Sequence, residues 1–379
     1  MRVLAIALVL LASAATAAAQ RHKLDINTET PEGQLLQNIG NESDEAKKLA
    51  LLEDFAAKYP QHSGAAWVYE QMVATYVKAG QPDKALAAGD KLIALDPDDV
   101  EAAYACLQAA EASKDAALVI KWSNATSQAA RKLAALPKPT AESEAEGWAR
   151  NVDYARQMVV RTEYSLYATM LQVADPKQKV ALGEALESRN PESQYLPQMA
   201  DQRFQAYVQA GETAKGIALA EKTVAAGKGT VEMLLALAGN SNANKQPAQA
   251  IAFAKKAIEA AESKPKPEGV ADADWAKWKT QITGRAHWTA GLAYAGENNW
   301  AAADKELRAA LPGVKGSPEM EAEALFYAGL ANYKLAAAGQ TERARDALKF
   351  SEQCAAIPGR FQQQARANAK AIRGQYHIR

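Results

Sequence analysis

Beyond its first nineteen residues this 379-residue chain has no long hydrophobic run, so it does not read as a protein that crosses a membrane repeatedly. Cysteine is nearly absent: Cys106 and Cys354 are the two in the chain, which excludes a disulfide-stapled scaffold. A bridge requires Cα atoms within about 7 Å, and several helical pairs separate the two along the chain, so each is expected as a small buried hydrophobe. The four histidines, at 22, 62, 287 and 377, are too scattered to form a metal cluster. His-Glu-x-x-His, Gly-x-Ser-x-Gly and Cys-x-x-Cys are all missing. No catalytic residue, metal or cofactor is therefore assigned, and an enzyme is not expected. Nor is there an excess of one charge. Lys plus Arg and Asp plus Glu are 44 each, so no global field draws the chain to nucleic acid or to an anionic membrane. Runs of alternating Val, Ile and Thr are lacking as well, which excludes an extensive sheet.

What is present is alanine, good helix formers and a period. Thr75 to Ile93 (TYVKAGQPDKALAAGDKLI) lies over Ala206 to Val224 (AYVQAGETAKGIALAEKTV). In each, an aromatic stands four places before a glycine and a small residue five places after it: Tyr76, Gly80, Ala85 and Tyr207, Gly211, Gly216. A recurring unit of about 34 residues is the signature of a helical repeat array, in which each unit buries its apolar face only by stacking on its neighbours.

Residues 66–99 carry Tyr69, Met72, Tyr76, Gly80, Ala85, Leu92 and a closing Leu95-Asp96-Pro97. Residues 231–264 carry Ala250, Phe253, Ala257 and Ile258; residues 284–317 carry Gly291-Leu292-Ala293-Tyr294, Trp300 and Ala303; residues 322–358 carry Ala328-Gly329-Leu330 and Ala344. Units at 100–135 and 160–193 are degenerate. Together these residues resemble the tetratricopeptide repeat family, of the type found in exported bacterial envelope proteins. The resemblance extends over nearly everything from Glu45 onward. It implies an all-α solenoid of stacked antiparallel helix hairpins wound as a right-handed superhelix. Small side chains at the second-helix contact allow two axes to approach within about 8 to 10 Å, and Ala85, Gly216, Ala250, Ala303 and Ala344 stand there. Gly291, Gly329 and Ala238 are small at the first-helix position, whereas Val73 and Phe204 are not.

The chain divides into a signal peptide at 1–19, a polar leader at 20–44 and the repeat array at 45–379. Arg2, an apolar run from Val3 to Ala12 and Ala17-Ala18-Ala19 form the signal pattern, with cleavage before Gln20. The competing reading of that run is a retained membrane anchor. No cysteine stands at the cut, so the expected location is periplasmic or secreted, with no membrane insertion after cleavage. The leader holds an apolar patch at Leu35, Leu36 and Ile39, and an amphipathic helix follows from Glu45 to Tyr59. Proline-bearing loops interrupt the array near 137–140 and 264–270, and residues 361–376 read as a polar capping helix. Ala226-Gly227-Lys228-Gly229-Thr230 has the look of a phosphate loop, but Gly229 stands where Ser or Thr is required, and the segment reads as a turn between units.

In the family resembled, the fifth place of each unit points into a concave groove. Those places are Glu70, Tyr104, Tyr164, Asp201, Leu235, Trp288 and Phe326, with Trp67 and Tyr333 on neighbouring positions. Aromatic anchors of this kind dominate binding hot spots, so Trp67, Tyr104, Tyr164, Trp288, Phe326 and Tyr333 are the candidate partner-binding residues. The alternative for each ring is core packing between helices. The expected function is an exported scaffold that binds peptide or protein segments in the groove. A glycan-associated envelope protein or hydrolase, with a carboxylate pair drawing on Glu70 or Asp201, is a second reading. A homo-oligomeric structural element joined through its open ends is a third.

Overall fold

The computed structural model describes Leu24 and residues 26–378; the signal-peptide segment at 1–19 lies outside the described residues. Every regular element among the described residues is a helix. They divide into two compact units, residues 1–199 and 200–379. The first holds α1 (Pro31–Asn41), α2 (Glu45–Lys58), α3 (Ala65–Lys78), α4 (Pro82–Leu95), α5 (Val100–Ser113), α6 (Ala116–Ala134), α7 (Glu142–Gln172) and α8 (Pro176–Arg189). The division falls inside α9 (Leu196–Gln209). The second continues with α10 (Thr213–Ala225), α11 (Val231–Ala243), α12 (Pro247–Ser263), α13 (Asp272–Gly296), α14 (Trp300–Val314), α15 (Pro318–Ala337), α16 (Arg343–Ala356) and α17 (Gln362–Tyr376).

Local chemistry starts these helices where they start. Asp44, Asp99, Asp115 and Asp175 each accept a hydrogen bond from a backbone N–H in the first turn that follows, satisfying donors that a helix leaves unpaired. Proline opens α4, α8, α12 and α15, where its missing N–H costs nothing. The hairpin turns share one geometry. Gly80 has φ 67° and Gly211 φ 80°, and the next N–H donates back to Tyr76 O at 2.9 Å and Tyr207 O at 2.8 Å. The same bond recurs as Gln246 N to Ser241 O and Asn299 N to Tyr294 O, both 2.9 Å. There the left-handed residue is Lys245 or Asn298 instead of glycine. The period persists in the backbone where its glycine has gone from the sequence.

From α1 to α8 and from α10 to α17 each helix packs on the next in the chain, and first helices also meet one another: α3 with α5, α5 with α7, α11 with α13, and α13 with α15. Pairing of next-but-one neighbours stacks hairpins in an array. The fold is thus an all-α set of stacked antiparallel helix hairpins. Ala85, Ala250 and Ala303 are fully buried and Ala344 nearly so. A Cβ on Gly291 would meet Leu307 Cγ at 2.6 Å, so α13 and α14 touch at glycine there. They also touch at Gly284 and Gly313, a closer approach that the period does not announce: a Cβ on Gly313 would fall 2.1 Å from Thr280 O.

The structure adds two elements to the outline read from the sequence. The leader contains α1, capped by Thr30 and opened by Pro31, with Leu36 and Ile39 buried. Helix α13 begins at Asp272, some three turns before the unit expected at 284. The 226–230 segment is a turn, with Gly227 at φ 73° and Thr230 capping α11. Both cysteines are buried free thiols, and burial pushes Cys106 up to about 12 and Cys354 to about 11.

Candidate functional site

The second unit contains a cavity of about 810 Å³ whose wall comes mainly from first helices. Helix α11 shows how the sequence builds it. Met233, Leu234, Leu237, Ala238 and Ser241 are buried. Its opposite stripe, Glu232, Leu235, Ala236, Gly239, Asn240 and Ala243, lines the cavity at helical spacing. Helix α13 adds Ile282, Arg285, Trp288 and Thr289; α9 adds Phe204, Gln205, Val208 and Gln209; α15 adds Met320. The lining is largely apolar, with Leu235 and Trp288 half-buried and Val208 exposed by 47%. Glu232 and Arg285 supply charges of opposite sign. The Trp288 Nε1 is shut off from water and has no hydrogen-bond partner. An indole N–H in that state is a donor awaiting an acceptor.

The remaining expected residues lie elsewhere. Phe326 stacks on Phe361 at 4.7 Å and meets Tyr327 edge-on at 5.4 Å, forming a ring cluster. Tyr333 donates to Gln375 Oε1 at 3.1 Å and lines a smaller hollow of about 170 Å³ with Ser351 and Asn368. In the first unit, Trp67 and Tyr104 are half-buried against the main core. Tyr164 is 45% exposed and gathers with Tyr167 and Tyr195, ring centroids 5.4 to 6.2 Å apart. The Arg161 guanidinium lies 5.7 Å from the Tyr104 ring and 5.6 Å from that of Tyr164. It is held there by paired bonds to Glu111 at 2.9 and 2.8 Å. Burial works against its charge, and the bonds and charge of Glu111 together with Tyr104 outweigh burial and raise its pKa. Asp201, in the second unit, accepts from Gln205 at 3.1 Å.

Of the sequence-named positions, Leu235 and Trp288 therefore share one cavity, while the other rings join local clusters. Glu232, Arg285 and Val208 were not singled out by the repeat pattern. Their helical spacing from Leu235, Trp288 and Phe204 was the available signal. Another aromatic feature, Trp275 stacked on Trp278 at 4.5 Å with an 8° interplanar angle, sits on the extra turns of α13. Lys279 and Lys264 cover those rings at 5.5 and 5.1 Å.

One polar cluster has the composition of a reactive site and the bonding of a brace. Asp304, 4% exposed, accepts from Arg308 Nε at 2.7 Å, Asn332 Nδ2 at 2.5 Å and Arg343 Nη1 at 3.1 Å. Arg308 also reaches Asp346 at 2.6 Å, tying α14, α15 and α16 together. Its donors and acceptors are spent on one another, so the cluster braces the helices. Among the described residues no group of histidine, cysteine and carboxylate side chains could hold a metal, and no helix is long and apolar enough to cross a membrane.

No protein-family model and no curated protein matches the chain. Among solved structures it is similar to the tetratricopeptide domain of P58(IPK), at 13% identity and a TM-score of 0.25, over 92% of this chain and all of that one. It is similar also to yeast Tom70, at 11% identity and a TM-score of 0.24, over 93% of this chain and 98% of that one. The class of the protein, an array of tetratricopeptide-like helix hairpins, is read from its own helix order, turns and stacking.

Proposed function

We propose that the chain is a protein-interaction scaffold whose second unit holds an extended or helical peptide segment in the cavity between α9, α11 and α13. The observation that carries this reading is the concentration there of Leu235, Trp288, Phe204 and Met320 around about 810 Å³, with Glu232 and Arg285 among the lining side chains. A largely apolar lining with a few placed polar groups suits an apolar anchor residue flanked by main chain. The unpartnered Trp288 Nε1–H would donate to a carbonyl of that main chain. The lining has one carboxylate, Glu232, and so lacks the acid–base pair that a glycoside hydrolase requires.

The proposal includes export. Its support is the Arg2, Val3 to Ala12 and Ala17-Ala18-Ala19 pattern, and the mature chain would start at Gln20. Terminal sequencing of the protein from its own cells reads this directly; a chain beginning at Met1 would contradict it.

Binding is tested by panning a random peptide display library on the full chain and measuring selected peptides against Leu235→Asp and Trp288→Ala. We expect enriched sequences with a shared apolar or aromatic anchor whose affinity falls at least about tenfold in both variants. Selected peptides that bind both variants as tightly as the parent would overturn the assignment.

A further inference from the structure

We infer that the first unit carries a second, unrelated site, which binds a phosphate-class dianion between α6 and α8. A hollow of about 320 Å³ there is lined by Asn124, Ser127, Gln128 and Arg131 from α6 and by Ala185, Ser188 and Arg189 from α8. The α6 residues fall at i, i+3, i+4 and i+7, which places them on one face, and 185, 188 and 189 do the same on α8. No carboxylate lines the hollow.

Two arginines line it, one from each helix. Arg189 is fixed by neutral acceptors: Nη1 donates to Ser123 O at 2.9 Å, Ser123 Oγ at 2.8 Å and Asn124 Oδ1 at 3.3 Å, and Nη2 to Thr162 O at 3.2 Å. These bonds orient the cation without supplying a counter-charge, which comes in part from Glu163 outside the hollow. The nearby carboxylate, Glu163, has both oxygens engaged, accepting from Asn190 Nδ2 and Ser193 Oγ at 2.7 Å each. Arg131 donates to the Arg189 main-chain carbonyl oxygen at 3.4 Å, which ties the second cation to the end of α8. Burial pulls the Arg189 pKa down to about 10, with Arg131 adding to the fall and Glu163 opposing it. A partly buried guanidinium with a second arginine beside it gains from a further negative charge.

Two buried donors point to the missing partner. Ser127 is 1% exposed, and its Oγ makes no hydrogen bond; the Arg189 Nε is likewise buried and unpartnered. Buried polar groups are almost always satisfied, and two such donors in one hollow call for an acceptor-rich ligand. Two positive charges match a phosphate or phosphomonoester, which carries about −1.5 to −2 near neutral pH, better than a carboxylate with one. The hollow also has more room than a bare oxyanion needs, which leaves space for the organic part of a monoester.

The test is titration calorimetry on the full chain at fixed ionic strength, with inorganic phosphate, phosphoserine and acetate as the probes, repeated on Arg131→Gln and Ser127→Ala. Arg131 is exposed, so its replacement leaves the helix packing in place, and circular dichroism confirms that each variant is folded. Saturable binding of phosphate or phosphoserine that weakens about tenfold in Arg131→Gln and less in Ser127→Ala is expected. Tighter binding of phosphoserine than of phosphate identifies a monoester site, and the reverse a free-phosphate site. Absence of saturable binding, equal binding of acetate, or affinity unmoved by Arg131→Gln would each overturn the inference.

Discussion

The two units are built from the same hairpin and fill their cores differently. The first buries large side chains completely: Phe55, Leu92, Leu107, Trp122, Leu166 and Met170 are all sealed. The second seals its seams chiefly with alanine and glycine, as at Ala254, Ala257, Ala286, Ala303, Ala328 and Gly284, with Leu307 and Met233 among its few sealed large residues. Small residues let helices approach closely and leave less interior to fill. In the second unit Trp275, Trp278 and Trp288 stand half-buried on helix faces, and the face that carries Trp288 lines the cavity.

Opposite substitutions should injure the two units. The largest effect is expected from Trp122→Ala, which removes a fully buried ring from the first and should lower stability by about 3–5 kcal/mol in a denaturant titration. Gly313→Val tests the second, since its side chain would drive into Thr280 O and Gly284 and should cost at least about 1–3 kcal/mol. Labelling with a thiol reagent sharpens this contrast, because each unit has one buried cysteine. Gly313→Val should expose Cys354 at lower denaturant while leaving Cys106 where it was, and Trp122→Ala, beside Gly89 and Cys106, should do the converse. Equal exposure of both thiols in both variants would erase the distinction.

A smaller effect concerns acid. His287 Nδ1 and Glu306 Oε2 lie 2.6 Å apart between α13 and α14, and that bond holds the Glu306 carboxyl below the usual glutamate range. A depressed folded pKa stabilises the protein above the unfolded value and is lost as pH falls through the folded one. Glu306→Gln should therefore cost on the order of 1 kcal/mol near neutrality and nothing once both states are protonated. Thermal melts from pH 6 to pH 3 check it. The smallest change expected is a gain: Lys245 sits at φ 58° where Gly80 and Gly211 stand in equivalent turns, so Lys245→Gly should add up to about 1 kcal/mol. A loss there would show that the side chain, and not the turn, sets the energy.

Most of the helix order was legible because the hairpin repeats a local turn. Tyr76, Gly80 and Ala85 specify it, and the backbone then reproduces it at Lys245 and Asn298. The helix over 361–376 followed from its polarity, and the break ahead of α7 from the prolines near 137–140. What escaped were features fixed by distance in space. Gly284 and Gly313 matter because they face each other, and Ser127, Arg131 and Arg189 share a hollow although α7 separates them in the chain. Phe326 illustrates the same limit: its place in the repeat is shared with Leu235 and Trp288, but Phe361 stacks on it. Register names a position, and the residues folded over that position decide its use.

The central claim is that the alanine-seamed unit presents a cavity for an apolar anchor. Amide hydrogen exchange of the full chain, with and without a display-selected peptide, tests it most directly. Slowed exchange concentrated in residues 204–209, 231–243 and 282–289 is the predicted result. Protection falling instead on the first unit, or spread evenly over both, would contradict it.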